Sequence, residues 1–283
     1  MLQRVVPILS LVLTILVLAG CNGADGPRLD TGRSGLPVVE ARDAMELNYK
    51  IARAGEPIEV DGVAAEEAWY AAMGATGFVY PWHAGDHPAT RAMLLWDERN
   101  LYVVFRAADT DVQADIEKRM GKVWEDGRVM LYIDATPGDD RYYALEINPK
   151  GTLLSFDADL SKATAAEKFD SRRWNTEDIQ IATRIDGTVN APDNTDTGYT
   201  VEMAIPWSVL ERVKPEDIKP GMALRIGLFR INETAGVPSD RWPHGLWATT
   251  WSETPNFHNT DSFVPATLLD ASTGDRPLPV DQD

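Results

Sequence analysis

One cysteine occurs in 283 residues. That excludes an internal disulfide and a cysteine-based zinc site. Histidine is nearly as scarce, with four in the chain. Positive charge is also in short supply. The 27 Lys and Arg are outnumbered by 44 Asp and Glu, giving a formal charge of −17. A balance this acidic argues against a nucleic-acid partner and against attachment to a membrane surface by charge. Several enzyme signatures are missing: Gly-x-Gly-x-x-Gly, the phosphate-cradling P-loop, Gly-x-Ser-x-Gly and His-Glu-x-x-His. Strands do not alternate with long amphipathic helices, which sets aside a parallel α/β sheet.

The longest apolar run, Val5 to Leu18, is broken only by Pro7, Ser10 and Thr14. It is shorter than the ~20 residues of a membrane-crossing helix. With Arg4 ahead of it, it reads as a secretory signal over residues 1–20. The Leu18-Ala19-Gly20-Cys21 that follows resembles the bacterial lipoprotein box, which implies lipidation of Cys21. Asn22 in place of an aspartate resembles the outer-membrane sorting pattern of Gram-negative bacteria. The expected setting is therefore the cell envelope, with the membrane reached through the lipid on Cys21. Residues 21–45 are polar and aperiodic and read as the lipidated Cys and a tether. Residues 271–283 read as a tail, and 46–270 as one domain.

Within that domain short apolar runs alternate with turn residues. Leu47–Arg53 and Ile58–Val60 are strand candidates, and Ala64–Ala72 predicts a helix that buries Trp69. Thr90–Trp96 and Leu101–Ala107, joined by a polar loop, predict a hairpin. Further strands are expected over 127–134, 141–148, 152–157, 179–185, 198–205 and 224–231, with a closing strand before Leu269. A second short helix is expected at Trp207–Glu211, opened by Pro206. The period of two places Arg128, Met130 and Tyr132 on one face and Val129, Leu131 and Ile133 on the other. The expected fold is all-β, an antiparallel β-sandwich of jelly-roll or immunoglobulin-like type with two short helices.

An ordered series of short motifs carries a resemblance over roughly residues 50–270. It comprises Val60-Asp61-Gly62 with Glu67-Ala68-Trp69, Leu95-Trp96-Asp97 with Asn100 to Val103, Trp124-Glu125-Asp126, and Glu146 to Pro149 with Gly151. Gly198 to Glu202 with Ile205-Pro206-Trp207, Arg230-Ile231, and Trp251 with Phe257-His258 complete it. The set resembles the family 9 carbohydrate-binding modules and the wider DOMON-like sandwiches. The resemblance implies a glycan held on aromatic faces and hydrogen-bonded by nearby polar side chains. It implies Trp124 as one stacking aromatic and Trp247 or Trp251 as a second. It implies Glu125, Asp126, Arg141 and Asn148 as polar contacts. Met130 departs from the family pattern, which has a Glu on this face six residues after the corner Trp. A partner glycoside hydrolase or envelope protein is a further expectation.

Other readings of the same residues stay open. Asp126, Glu146 and Glu202 could supply paired carboxylates for glycosyl hydrolysis. Some DOMON-like domains bind haem b, for which Met130 with His244 or His258 would be the axial ligands. Asp134 with Asp139 and Asp140, or Asp109 with Asp111, have the oxygen-ligand spacing of a structural calcium site.

Overall fold

The computed structural model describes residues 38–40, 48–83, 87–170, 174–191, 195–233, 235–238, 242–247 and 253–270. The signal segment, Cys21, most of the tether, Trp251 and the tail lie outside the described residues. Thirteen strands occur among the described residues. They are β1 (Val38–Glu40), β2 (Tyr49–Arg53), β3 (Gly74–Thr76), β4 (Thr90–Trp96), β5 (Asn100–Ala108), β6 (Arg128–Asp134) and β7 (Arg141–Ile147). They continue as β8 (Leu153–Asp159), β9 (Gln180–Asp186), β10 (Gly198–Pro206), β11 (Ala223–Ile231), β12 (His244–Leu246) and β13 (Val264–Leu269). All belong to one sheet, with β8-β7-β6-β11-β13-β2-β4-β5-β10-β9 as its main path. β12 joins β11, β3 joins β4, and β1 joins β3.

The sheet curls so that its two halves, β8-β7-β6-β11 and β4-β5-β10-β9, pack face to face. Side chains at alternate positions of both halves meet in one core: Val129, Leu131 and Ile133 from β6, Leu94 from β4, Val103 and Phe105 from β5, and Val201 and Met203 from β10. This is the sandwich that strict alternation demands, since each strand has one face to bury. Most pairings are antiparallel, but β13 with β2, β2 with β4, and β1 with β3 are parallel. The first two of these close the curl, where strands from the two ends of the domain meet, far apart in sequence and free of hairpin geometry.

Both expected helices shrink to single 3-10 turns, Glu67–Ala71 and Trp207–Val209. Ala64 sits at φ +51°, so a right-handed helix cannot begin there. Carboxylates instead take up the backbone donors of this segment. Glu66 Oε1 accepts from Glu59 N at 2.9 Å, and Glu56 Oε1 from Ala68 N at 2.9 Å. Glu202 Oε2 accepts from Gly62 N at 2.9 Å and Asp61 N at 3.2 Å. Gly62 adopts φ +83° with its Cα close against the backbone of Thr183, where a Cβ would stand 2.8 Å away. Trp69 is buried, as the sequence suggests, in a second small core on the outer face of β4, β5 and β10. Ile58–Val60 is not a strand. One short α-helix, α1 (Ala165–Lys168), closed by a Thr164–Glu167 capping box, occupies the polar excursion after β8.

The buried carboxylates Asp109 and Asp157 are paired with arginines. Arg230 is fully buried, 2.9 Å from Asp109 and stacked over Tyr199 at 4.9 Å. Asp157 takes both Arg141 and Arg212, and Arg212 also lies 3.9 Å above the Tyr143 ring.

Candidate functional site

The outer face of the β6, β7, β8 and β11 half is made of the residues that alternation turns away from the core. Two rows cross it. In one, Phe229, Met130, Glu146 and Leu154 lie side by side; in the next, Gly227, Tyr132, Ala144 and Phe156. The small residues flanking Tyr132 leave room for its ring and for those beside it. A Cβ on Gly227 would come within 2.5 Å of the Phe229 ring. Tyr132 stacks on Tyr142 at 5.3 Å and meets Phe229 edge-on at 5.1 Å. Chain segments from the C-terminal part cover one side. Phe257 packs on Phe229 at 5.0 Å and on Trp82 at 6.2 Å, and His258 stacks on Phe169 at 4.2 Å.

A polar group is set into this aromatic floor. Glu146 Oε2 accepts from Arg128 Nε at 2.6 Å, and its Oε1 accepts from Tyr132 Oη at 2.8 Å. Arg128 Nη1 donates to the carbonyls of Trp124 and Asp126, each at 3.2 Å. Burial, and then the Glu146 charge, push the Tyr132 hydroxyl far above its ordinary pKa, so it stays a donor. Tyr142 Oη lies 2.5 Å from His258 Nδ1. Burial and Glu146 likewise raise the tyrosine, while burial holds the histidine below its usual range. Both groups therefore stay neutral, and the imidazole tautomer sets which of them donates.

The rim is the corner before β6. Val123 is buried in the floor, Val123–Glu125 forms a 3-10 turn, and Trp124 is left 50% exposed. Asp126 fixes this corner from beneath. Its carboxylate accepts from Asp115 N, Ile116 N and Asn148 Nδ2, the last at 2.7 Å. Asn148 also donates to Ile116 O at 2.8 Å and accepts from Thr152 N at 2.9 Å.

The residues expected from sequence thus separate. Trp124 is exposed beside the floor, and Glu125 is an exposed neighbour tied to Lys122 at 2.8 Å. Asp126 and Asn148 are buried, with their polar atoms turned inward, so they shape the corner instead of presenting groups at it. Arg141 falls on the opposite face of β7 from Tyr142 and Glu146 and is held by Asp157. Trp247 is wholly buried in the main core, edge-on to Tyr49 at 5.4 Å, and is no second platform. Trp82 and Phe257, half-buried against the floor, are the aromatics that stand there instead. Arg128 and Tyr132 were not singled out from sequence, although alternation put them on the face of Met130.

Three other expectations do not assemble. Glu202 is on the opposite side of the sandwich from Glu146, and Asp126 is committed to backbone donors, so the three carboxylates do not converge. Met130 is fully buried with Tyr132 Oη 3.8 Å from its sulfur, and the same Tyr132 ring stacks on His258 at 5.8 Å. His244 is half-buried and stacks on Phe257 at 5.8 Å. Side chains already fill the contacts of these would-be axial ligands, and the set does not fit haem. Among the described residues no three acidic or histidine side chains come together as a metal-binding group. Asp139 accepts from Arg141 N at 3.1 Å and Thr136 Oγ1 at 2.7 Å, and Asp134 from Thr136 N at 3.2 Å, so these are turn caps. The Asp140 carbonyl takes Leu160 N at 2.8 Å, a backbone bond that extends the β7–β8 ladder. Asp109 is the counter-ion of Arg230, and Asp111 N bonds to its carboxylate at 3.1 Å.

The profile of the carbohydrate family 9 binding domain-like family matches residues 60–270. No curated protein matches. Among solved structures, a Bacteroides uniformis protein to which carbohydrate binding is provisionally ascribed superposes with a TM-score of 0.56 at 17% identity, over 82% of this chain and 99% of that one. A family 9 carbohydrate-binding module from Caldicellulosiruptor kristjanssonii in complex with cellotriose gives 0.53 at 15% identity, over 83% and 99%. The same organism's module in complex with glucose gives 0.52 at 16%, over 81% and 100%. At these identities the structures share the fold, and the profile match spans most of the chain. The chain belongs to the carbohydrate family 9 binding domain-like family.

Proposed function

We propose that the protein is a non-catalytic glycan-binding module held at the cell envelope, where it serves recognition or breakdown of polysaccharide with a partner hydrolase or envelope protein. The observation that carries the reading is Trp124, a half-exposed indole on a corner that Val123 roots in the buried aromatic floor and Arg128 holds by the Trp124 carbonyl. A pyranose offers C–H faces that pack on such a ring, and hydroxyls that require donors and acceptors at its edge. The family and the sugar complexes of similar modules support it. Calorimetric titration of the full chain in a non-glycosidic detergent, against cello-, xylo- and manno-oligosaccharides, tests it. Binding should weaken at least tenfold in Trp124→Ala. Binding that survives this change would move the site elsewhere, and no binding across the panel would end the reading.

The envelope address rests on Leu18 to Cys21 and is proposed on that ground. A diacylated cysteine supplies the two chains that stable anchoring takes. Cys21→Ala should shift the protein from the membrane to the soluble fraction on cell fractionation; retention in the membrane fraction would count against the lipid.

A further inference from the structure

The half of the sheet away from Trp124 carries a row of arginines. Register sets Arg91 of β4 opposite Arg106 of β5, Arg106 opposite Thr200 of β10, and Thr200 opposite Arg184 of β9. Their neighbours Ala92, Phe105 and Val201 point into the main core, so the row lies on the outer face, beside the small core around Trp69. Like charges set directly opposite across a strand pair weaken it. Arg184 is held by Asp186 at 3.0 Å. Arg106 donates to the Ala64 carbonyl at 3.2 Å and the Val63 carbonyl at 3.4 Å. Arg91 is different. It is only 7% exposed, yet among the described residues its Nε and Nη2 are buried with no hydrogen-bond partner. The chain has 44 acidic residues, and among the described residues none of them pairs with Arg91. A buried guanidinium without a counter-charge is costly, and burial and then the Arg106 charge lower its pKa from the ordinary arginine value.

The two bare atoms form a matched set. Nε–H and Nη2–H lie side by side on one edge of the guanidinium, and that edge grips two oxygens of a single oxyanion. The seat of Arg91 leaves the edge clear. A Cβ on Gly74 would stand 2.5 Å from Nη2, 2.7 Å from Cζ and 2.8 Å from Nε. Such near-equal distances put Gly74 over the plane of the group, and a larger residue there would push Arg91 off its seat. Arg106 adds a second positive charge and, being half-buried, opens the pair to solvent. The field of the pair acts on a doubly charged oxyanion twice as strongly as on a carboxylate. A phosphate group carries about two negative charges near neutral pH. We infer that Arg91 and Arg106 form a binding site for a phosphate group, gripped by the Nε and Nη2 edge of Arg91, on the half of the sandwich away from the Trp124 corner. The site stands apart from the glycan reading.

Calorimetric titration of the full chain with inorganic phosphate and with glycerol 3-phosphate, in phosphate-free buffer at constant ionic strength, tests this. The wild type should bind saturably, and phosphate should raise its urea midpoint where chloride does not. Equal affinities would mean that the phosphate group alone is read, and at least fivefold tighter binding of glycerol 3-phosphate would point to a phospholipid headgroup as its source. Arg91→Lys keeps the charge without the two-pronged edge and should weaken binding at least fivefold. Arg91→Met should weaken it at least tenfold. Without phosphate, Arg91→Met should be at least as stable as the wild type, because it removes an uncompensated buried charge. A structural arginine predicts the reverse, a less stable variant and a wild-type midpoint that phosphate leaves unmoved. No saturable binding by the wild type, undiminished binding in Arg91→Met, or an Arg91→Met protein that is less stable without phosphate or fails to fold overturns the inference. None of these outcomes bears on the glycan reading.

Discussion

Glu202 shows how much one buried carboxylate can govern. It lies in the outer core beneath the 3-10 turn, with Oε2 receiving two backbone donors while Oε1 has no partner among the described residues. Burial pushes its pKa up to about 7, with Glu66 and Asp61 adding repulsion and the two N–H groups only partly offsetting it. The folded state thus holds a proton that the unfolded chain releases near pH 4.5. Its contribution to stability is fully present below that value and fades as pH rises through about 7. Glu202→Gln keeps an oxygen for the Gly62 and Asp61 donors and cannot ionise. The variant should therefore be more stable than the wild type at pH 8, by on the order of 2 kcal/mol, with little difference at pH 4.5. Urea midpoints at the two pH values measure this. A variant weaker than the wild type at pH 8 would show that the carboxylate is ionised and favourable there. Nothing in the sequence announces this behaviour: Glu202 reads as one of 44 acids, and only the burial of its strand face sets it apart.

At the scale of elements, the strands were legible and the functional corner only half so. Arg128 to Asp134 alternates so strictly that its core face and its outer face could be assigned without a structure, and both assignments hold. The same is true of Arg141–Ile147, from which the placement of Arg141 away from Glu146 follows directly. That residue was assigned a ligand role by resemblance although alternation placed it on the other face. The helices failed for a different reason. Propensity favours helix over Ala64–Ala72, but Glu56 claims the Ala68 N–H while Glu66 and Glu202 fix the preceding chain at Glu59, Asp61 and Gly62, and tertiary bonds outweigh a preference of tenths of a kcal/mol per residue. The corner at Trp124 illustrates the remaining gap. Its acidic and aromatic composition marks an exposed turn, yet Asp126 faces inward because loop 113–121 brings two backbone N–H groups to it. Which carboxylate of Glu125-Asp126 serves the fold and which faces water is decided by a loop whose path has no sequence period to betray it.

On the scale of the whole molecule, the single curled sheet gives its two faces and its interior different tolerances for the same residue. Trp124 was paired from sequence with Trp247 or Trp251 as the two walls of one sugar site, and Trp251 lies outside the described residues. The structure places Trp247 where the sheet closes: its N–H bonds to Leu228 O at 2.9 Å and its indole meets Tyr49 on β2. It therefore packs across the junction that joins the two halves. Removing a buried Trp side chain costs about 3–5 kcal/mol through lost transfer energy and the residual cavity, whereas truncating an exposed one away from such features stays within about 0.5 kcal/mol. Trp247→Ala should accordingly lower the urea midpoint sharply with an unchanged slope, while Trp124→Ala leaves the midpoint near that of the wild type. The two variants should also diverge in sugar titration below the unfolding range. Trp124→Ala loses affinity while folded, and Trp247→Ala, where folded, retains the wild-type value. Equal destabilisation by the two would mean that the Trp124 indole is packed in the fold and is no platform. A Trp247→Ala protein that is stable yet unable to bind would return that residue to the sugar site.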